Sequence, residues 1–373
     1  MTPGRGPAVE GCARAADLLM GYPWKVWFWG DSIGMEGLLD ASELTGIDRY
    51  RSYVYGVLKG WIPRMGQRAR FDHTAPGVAL LRSYALTGDP QLLEAARAHA
   101  EYLAGFRRTS GGCPVHYEDV AFDAPPELPS GRALGGPTAA AVVAPTSSSA
   151  SPRACVFVDS VHFQGPFLAM LHALTGEARY LAQAESTIGP QVDLLWDERE
   201  RLFHHFWVEE TGARNGVFWG RGNGWGLLGM LHTLEHLPEA SPLSQRLRRI
   251  VREQASRLAE LQDGSGDWHT VLDDRRSYLE SSVAAFVVDG FSLAIRRGWL
   301  PGTYREVVEK GWRAMWTHLG PDGLLRGVSF ETHPGTRPEH YREMPTGAMV
   351  PWGQGPFLAA CRSYLASSGQ DPR

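Results

Sequence analysis

The feature that most limits what this chain can become is a weak repeat: LLDASELTGIDRY (38–50), LLRSYALTGDPQLLEAA (80–96) and LAMLHALTGEARYLAQA (168–184). Each unit reads as an apolar helix ending in Leu-Thr-Gly, a joint of two or three residues, and a second, amphipathic helix. Gly46, Gly88 and Gly176 stand where a helix C-terminus favours a left-handed residue. Asp48, Asp89 and Glu177 stand where the next helix N-terminus favours negative charge. Thr45 and Thr87 are 42 positions apart and Thr87 and Thr175 are 88 apart. A period of about forty residues is therefore interrupted once, and such a period means a solenoid or a closed helical array.

Segments 221–236 with 242–262 and 279–297 with 303–319 continue the theme, and helices near 9–20 and 353–368 bring the count to about twelve. Twelve helices in six hairpins predict an all-α fold, an (α/α)6 barrel. An open solenoid needs polar capping helices, whereas the terminal segment GPFLAACRSYL carries an apolar face like the others. The interruption, about 107–154, contains LPSGRALGGPTAAAVVAPTSSSASPRA, whose composition cannot build a packed core. Because the helical pattern resumes in phase, it reads as a loop insertion within one domain spanning 1–373. His116, Tyr117 and Glu118 are its expected ordered part, and a lid and a plain surface loop are both open readings.

A net charge of -4 with scattered Lys and Arg gives no footprint for nucleic acid. Cys12, Cys113, Cys155 and Cys361 are far apart, without metal-ligand spacing, so reduced thiols and no metal are expected. No stretch has the length of a signal peptide or a membrane span, so the expected location is the cytoplasm, away from any membrane. No cofactor motif is present, and a homodimer is allowed. The compositional oddity is 13 Trp alongside 43 Gly.

Five of the Trp lie in six hairpin joints that recurrently present aromatic, Gly and polar or charged residues: WFWGDSIGMEG (27–37), FDHTAPG (71–77), VFVDSVHFQGPF (156–167), VFWGRGNGWG (217–226), SYLESSVAA (277–285) and VPWGQGPF (350–357). Ringed around one barrel mouth, Trp faces would pack on sugar rings while Asp, Arg, Asn and Gln satisfy hydroxyls and carboxylates. Taken singly, each Trp also reads as barrel core. Trp29, Trp219, Trp352 and Gln354 are the sugar-facing candidates.

The run FWGRGNGWGLLGMLHTLEHLP (218–238) resembles the signature of the unsaturated rhamnogalacturonyl hydrolases, glycoside hydrolase family 105, related to the unsaturated glucuronyl hydrolases of family 88. Residues 71–89, 156–184, 201–207, 277–301 and 350–360 resemble further family blocks in the right order. The resemblance implies an (α/α)6 barrel without cofactor that hydrates the double bond of a 4,5-unsaturated uronic acid in a small oligosaccharide, releasing the neighbouring sugar. It implies that Asp159 is the acid that protonates C4 and then helps deliver water to C5. A raised pKa would be needed, from burial or from a second acid, for which Asp72 is the family position. His205 falls on a family histidine near the substrate. Arg221 could pair with the uronate carboxylate, with Asn223 and Trp225 completing that subsite. Bland readings stand beside these: Asp159 and Asp72 as helix caps, His205 as a half-buried histidine, Arg221 as an ion-pair partner. His162 departs from the family pattern and reads equally as a substrate contact or a neutral replacement. The rival functions are another (α/α)6 sugar enzyme, an epimerase or inverting hydrolase, and a sugar-binding barrel without chemistry.

Overall fold

The computed structural model describes residues 4–25, 27–67, 76–118, 120, 122–123 and 153–367. In chain order its elements are α1 (Arg5–Met20), α2 (Trp29–Thr45), α3 (Asp48–Trp61), α4 (Gly77–Thr87), α5 (Pro90–Ala104), β1 (Cys155–Phe157), α6 (Asp159–Thr175) and α7 (Ala178–Leu195). Next come β2 (Trp196–Asp197), β3 (Leu202–Phe203), β4 (Phe206–Val208), β5 (Ala213–Arg214), α8 (Gly220–Leu234), α9 (Pro242–Leu261), α10 (Ser281–Arg296), α11 (Arg305–His318), α12 (Pro338–Arg342) and α13 (Pro351–Ser367).

Helices α2, α4, α6, α8, α10 and α13 pack each on the next, and α13 packs back on α2, which closes an inner ring. Around it lie α1, α3, α5, α7, α9 and α11. The (α/α)6 barrel is thus the observed architecture. Sequence separates the two layers by physical necessity. An inner helix is covered on every side, and on α8 every residue except His232 is buried. An outer helix needs one apolar stripe, and α9 buries Leu247, Ile250, Val251, Ala255 and Leu258 while its arginines face out. Inner helices approach closely where glycine replaces a side chain. A Cβ on Gly37 would come within 2.6 Å of the Gly355 backbone, and one on Gly229 within 2.6 Å of the Val161 backbone.

The Leu-Thr-Gly joints are three copies of one cap. Gly46, Gly88 and Gly176 sit at φ 72°, 69° and 71° and donate their N–H to the carbonyls of Ser42, Tyr84 and His172. Each preceding threonine hydroxyl donates to the carbonyl four residues back: Thr45 to Ala41 at 2.6 Å, Thr87 to Ser83 at 2.8 Å, Thr175 to Leu171 at 2.7 Å. Each also accepts the N–H two residues on, from Ile47, Asp89 and Glu177. Asp89 caps α5 by accepting from the Gln91 N–H, but Glu177 makes no cap bond and pairs with Arg97 and Arg179 instead.

Small strands stand where the sequence pattern predicts an almost purely helical chain. Antiparallel β1, β4 and β5 form one sheet in the order β1-β4-β5, and β2 pairs with β3. Cys155, Phe157, Phe206 and Val208 make a separate apolar cluster under Tyr117, Val120 and Phe122. Of the three expected ordered residues of the insertion, His116 meets Gln164, Tyr117 packs on Phe157 and Glu118 pairs with Arg107. They anchor its stem. No helix among the described residues is long and apolar enough to cross a membrane.

Candidate active site

All six inner helices run the same way, so their N-terminal ends share one mouth. At that mouth the β1–β4 register decides which side chains meet. Phe157 opposes Phe206, and the Val158 N–H donates to the His205 carbonyl at 2.9 Å. Asp159, the first residue of α6, is thereby set beside His205, the residue before β4, with His205 Nε2 3.8 Å from Asp159 Oδ2. That is longer than a hydrogen bond, and Oδ2 has no hydrogen-bond partner. The Asp159 side chain is 19% exposed, against 3% for His205.

Burial pushes the Asp159 carboxyl up to about 7, against its own backbone N–H and the Arg221 charge, both of which favour the anion. Burial, then Arg221 and His340, hold the His205 pKa well below its ordinary value, so this imidazole is neutral at pH 7. The pair at neutral pH is a carboxyl on the edge of titration and an uncharged base.

Aromatic rings gather at the N-terminal ends of the inner helices. His205 packs on Trp219 at 4.4 Å, and Trp29 lies 4.8 Å from Trp352 and 5.0 Å from Phe28. Trp29 stays partly exposed, while Trp352 against it and Trp219 against His205 are buried. On the first turn of α2, Asp31 is a second acid, fully buried, with both carboxyl oxygens unpartnered and its pKa driven well above the carboxylate range by burial, although Lys25 opposes this.

Several sequence candidates turn inward. Arg221 is wholly buried and donates to Glu280, to the Ser329 carbonyl and hydroxyl, to the Phe330 carbonyl and to the Thr332 hydroxyl. A bidentate pairing with a uronate would have to break that set, so in this geometry the guanidinium builds the 329–332 loop. Asn223 is spent on both backbone groups of Phe203 and the carbonyl of Trp219. Gln354 pins Leu325, Gly323 and Ala15. Trp225 is core, packed on Phe163 and Phe286. His162, one turn below Asp159, faces Glu36 at 3.6 Å and lines a cavity of about 240 Å³ with Asp289, Arg296 and Arg362, toward the C-terminal ends of the inner helices. Asp72 lies outside the described residues.

One neighbour goes unnoticed in the sequence. Tyr341, on the short helix α12, places its hydroxyl 2.6 Å from His205 Nδ1 and takes a bond from Asn215 Nδ2 at 3.1 Å. Pro338 at the first turn of α12 could have announced a helix there. Nothing in the sequence pattern aims Tyr341 at His205.

A closed double ring of helices with protonatable carboxyls at an aromatic mouth defines a class, the carbohydrate-cleaving (α/α)6 barrels. Within it the chain belongs to Glycosyl Hydrolase Family 88, whose sequence profile matches residues 15–367. It is 28% identical over 346 residues to the unsaturated rhamnogalacturonyl hydrolase YesR of Bacillus subtilis, covering 91% of this chain and 90% of that one. Among solved structures it is similar to a possible member of the GH105 family from Klebsiella pneumoniae, with a TM-score of 0.83 at 23% identity, covering 99% of this chain and 95% of that one. It is also similar to the unsaturated glucuronyl hydrolase of Bacillus sp. GL1, with a TM-score of 0.68 at 17% identity, covering 95% and 94%.

Proposed function

We propose that the protein removes a 4,5-unsaturated uronic acid from the non-reducing end of a small oligosaccharide by hydrating its C4=C5 bond. The observation that carries this is Asp159: one carboxyl, pushed up to about 7, beside a neutral imidazole. An enol ether needs a single acid still protonated near neutral pH. Asp159 gives its proton to C4, and positive charge develops at C5 and the ring oxygen. Water adds to C5 and returns a proton to the Asp159 carboxylate, with His205 Nε2 as the neighbouring acceptor. The hemiketal opens to a C5 ketone, and the hemiacetal left at C1 releases the adjoining sugar as an alcohol. One water is consumed and the carboxyl is regenerated. Two carboxylates flanking the anomeric carbon, as in ordinary glycosidases, have no part in this route.

Trp29 offers the sugar a partly exposed aromatic face, backed by Trp352, and Trp219 backs His205. Asp72 would be the second acid of the site on the family resemblance alone. All four cysteines are buried free thiols, which suits a reducing compartment, and we place the enzyme in the cytoplasm.

The experiment is turnover of lyase-generated unsaturated disaccharides, followed by loss of the double bond's ultraviolet absorbance. Wild-type protein should consume one of them, and Asp159→Asn should lose at least about a hundredfold in kcat, the size of a general-acid contribution. Faster turnover of a saturated glycoside, or full activity in Asp159→Asn, overturns the reading.

A further inference from the structure

We propose that Asp123, on the stem of the insertion, is a positioning residue that sets the tautomer of His205 and so the face His205 presents to the acid. The proposal rests on Asp159 and His205 acting as described above.

The hydrogen bonds form a continuous path. Asp123 accepts from the Thr336 N–H at 2.9 Å and from the Thr336 hydroxyl at 2.6 Å, and donates its own N–H to the Pro334 carbonyl at 2.9 Å. Three bonds from one residue thus hold both neighbours of Gly335. The Gly335 carbonyl lies 3.1 Å from the Tyr341 hydroxyl and 3.1 Å from Asn215 Nδ2. A phenol has one proton to give. The Gly335 N–H also points at the phenol oxygen, but at 3.4 Å, beyond the usual hydrogen-bond range. With the phenol proton on the Gly335 carbonyl and Asn215 donating to the phenol oxygen, one lone pair is left, and the 2.6 Å contact is then made by His205 Nδ1 donating. Nε2 is then a lone pair turned toward Asp159 Oδ2, able to accept from the protonated carboxyl or from water. If the Gly335 carbonyl moves away, the Tyr341 proton turns to Nδ1 and His205 presents an N–H to the acid instead.

Asp123 therefore ties the insertion stem to the loop that carries the Gly335 carbonyl. It adopts φ 55°, the left-handed region that Asp tolerates better than most side chains, and Phe122 beside it stacks on Phe206 at 5.0 Å. Thr336 is exposed, so a change there disturbs no core. The charged and titratable groups facing the path are Asp159, Arg221 and His340 around His205, Asp159 and Asp123 around Tyr341, and His340 and Arg337 around Asp123.

The test uses the full chain, as wild type, Asp123→Ala, Asp123→Asn and Thr336→Val. Two readouts are taken: nitrogen-15 NMR of His205, and the pH profile of kcat on an unsaturated disaccharide. Wild type should show Nδ1–H. Asp123→Ala should show a mixed or Nε2–H pattern, lose several-fold in kcat with KM within about twofold, and shift the basic limb of the profile to lower pH, because an Nε2–H facing Asp159 favours its anion. Asp123→Asn keeps an acceptor for the Thr336 N–H and should restore both readouts. A folded Asp123→Ala with an unchanged His205 pattern and an unshifted limb overturns the proposal, as does an equal loss of kcat at every pH. If Asp123→Ala does not fold, Thr336→Val decides, and wild-type behaviour in both readouts overturns it. The NMR readout needs no turnover, so an inactive wild type would count against the proposed reaction while leaving the tautomer question to be answered separately.

Discussion

A carboxyl whose pKa rises from 3.8 to about 7 on folding works against the fold as pH climbs. Between those values the native state holds a proton that the unfolded chain has released, so unfolding free energy falls as pH rises through that window. A rise of that size is worth on the order of a few kcal/mol. Asp159→Asn should therefore gain stability over wild type, slightly at pH 4 and fully by pH 8, in paired urea melts. A pH-independent difference would contradict the raised pKa. The same scale shows where sequence reading stops. A motif identifies which joint supplies a residue, and on that basis Asp159 and His205 fall together. It does not say whether a side chain's donors are already used, and this is why Arg221, Asn223 and Gln354 read as sugar contacts although the protein occupies them itself. Asp123 and Tyr341 lie in segments without repeat or aromatic signal, and only the folded path joins them.

Among the elements, the outer helices were legible because one-sided burial writes a 3.6-residue period over 14 to 20 positions, and the inner ones as long apolar runs between glycine-rich joints. The strands were not, since a pairing of two or three residues cannot display alternation. Yet β1 and β4 fix the distance between Asp159 and His205. The joints were half legible: the glycines and acids were expected, whereas the threonine hydroxyl, bonded both backward and forward, was seen only in the structure. Gly88 allows a clean measurement, because a Cβ there meets open space and the whole penalty is backbone. Gly88→Ala should cost about 1 to 2 kcal/mol in denaturant midpoint with kcat unchanged, and Gly88→Asn less. A neutral Ala substitution would contradict the left-handed cap.

At the scale of the whole molecule, the ring depends on helices coming closer than side chains allow. Gly229→Ala sets a methyl against the Val161 backbone, pushing apart α8 and the helix that begins with Asp159. It should lower stability by about 1 to 3 kcal/mol and reduce turnover as well, measured by thermal melt and kcat. Stability equal to wild type would mean that the ring can relax at that contact. The hairpins and the closure were both legible, the closure from the apolar face of the terminal segment GPFLAACRSYL; the contact that makes it joins α2 to α13 across nearly the whole chain. That contact also sets a timetable. During synthesis α2 is made roughly three hundred residues before α13, a wait on the order of tens of seconds at ordinary ribosome speeds. Until then the apolar flank around Ile33 and Gly37 has no partner, so the newborn chain, far more than the finished enzyme, is the form at risk of aggregation and in need of a chaperone.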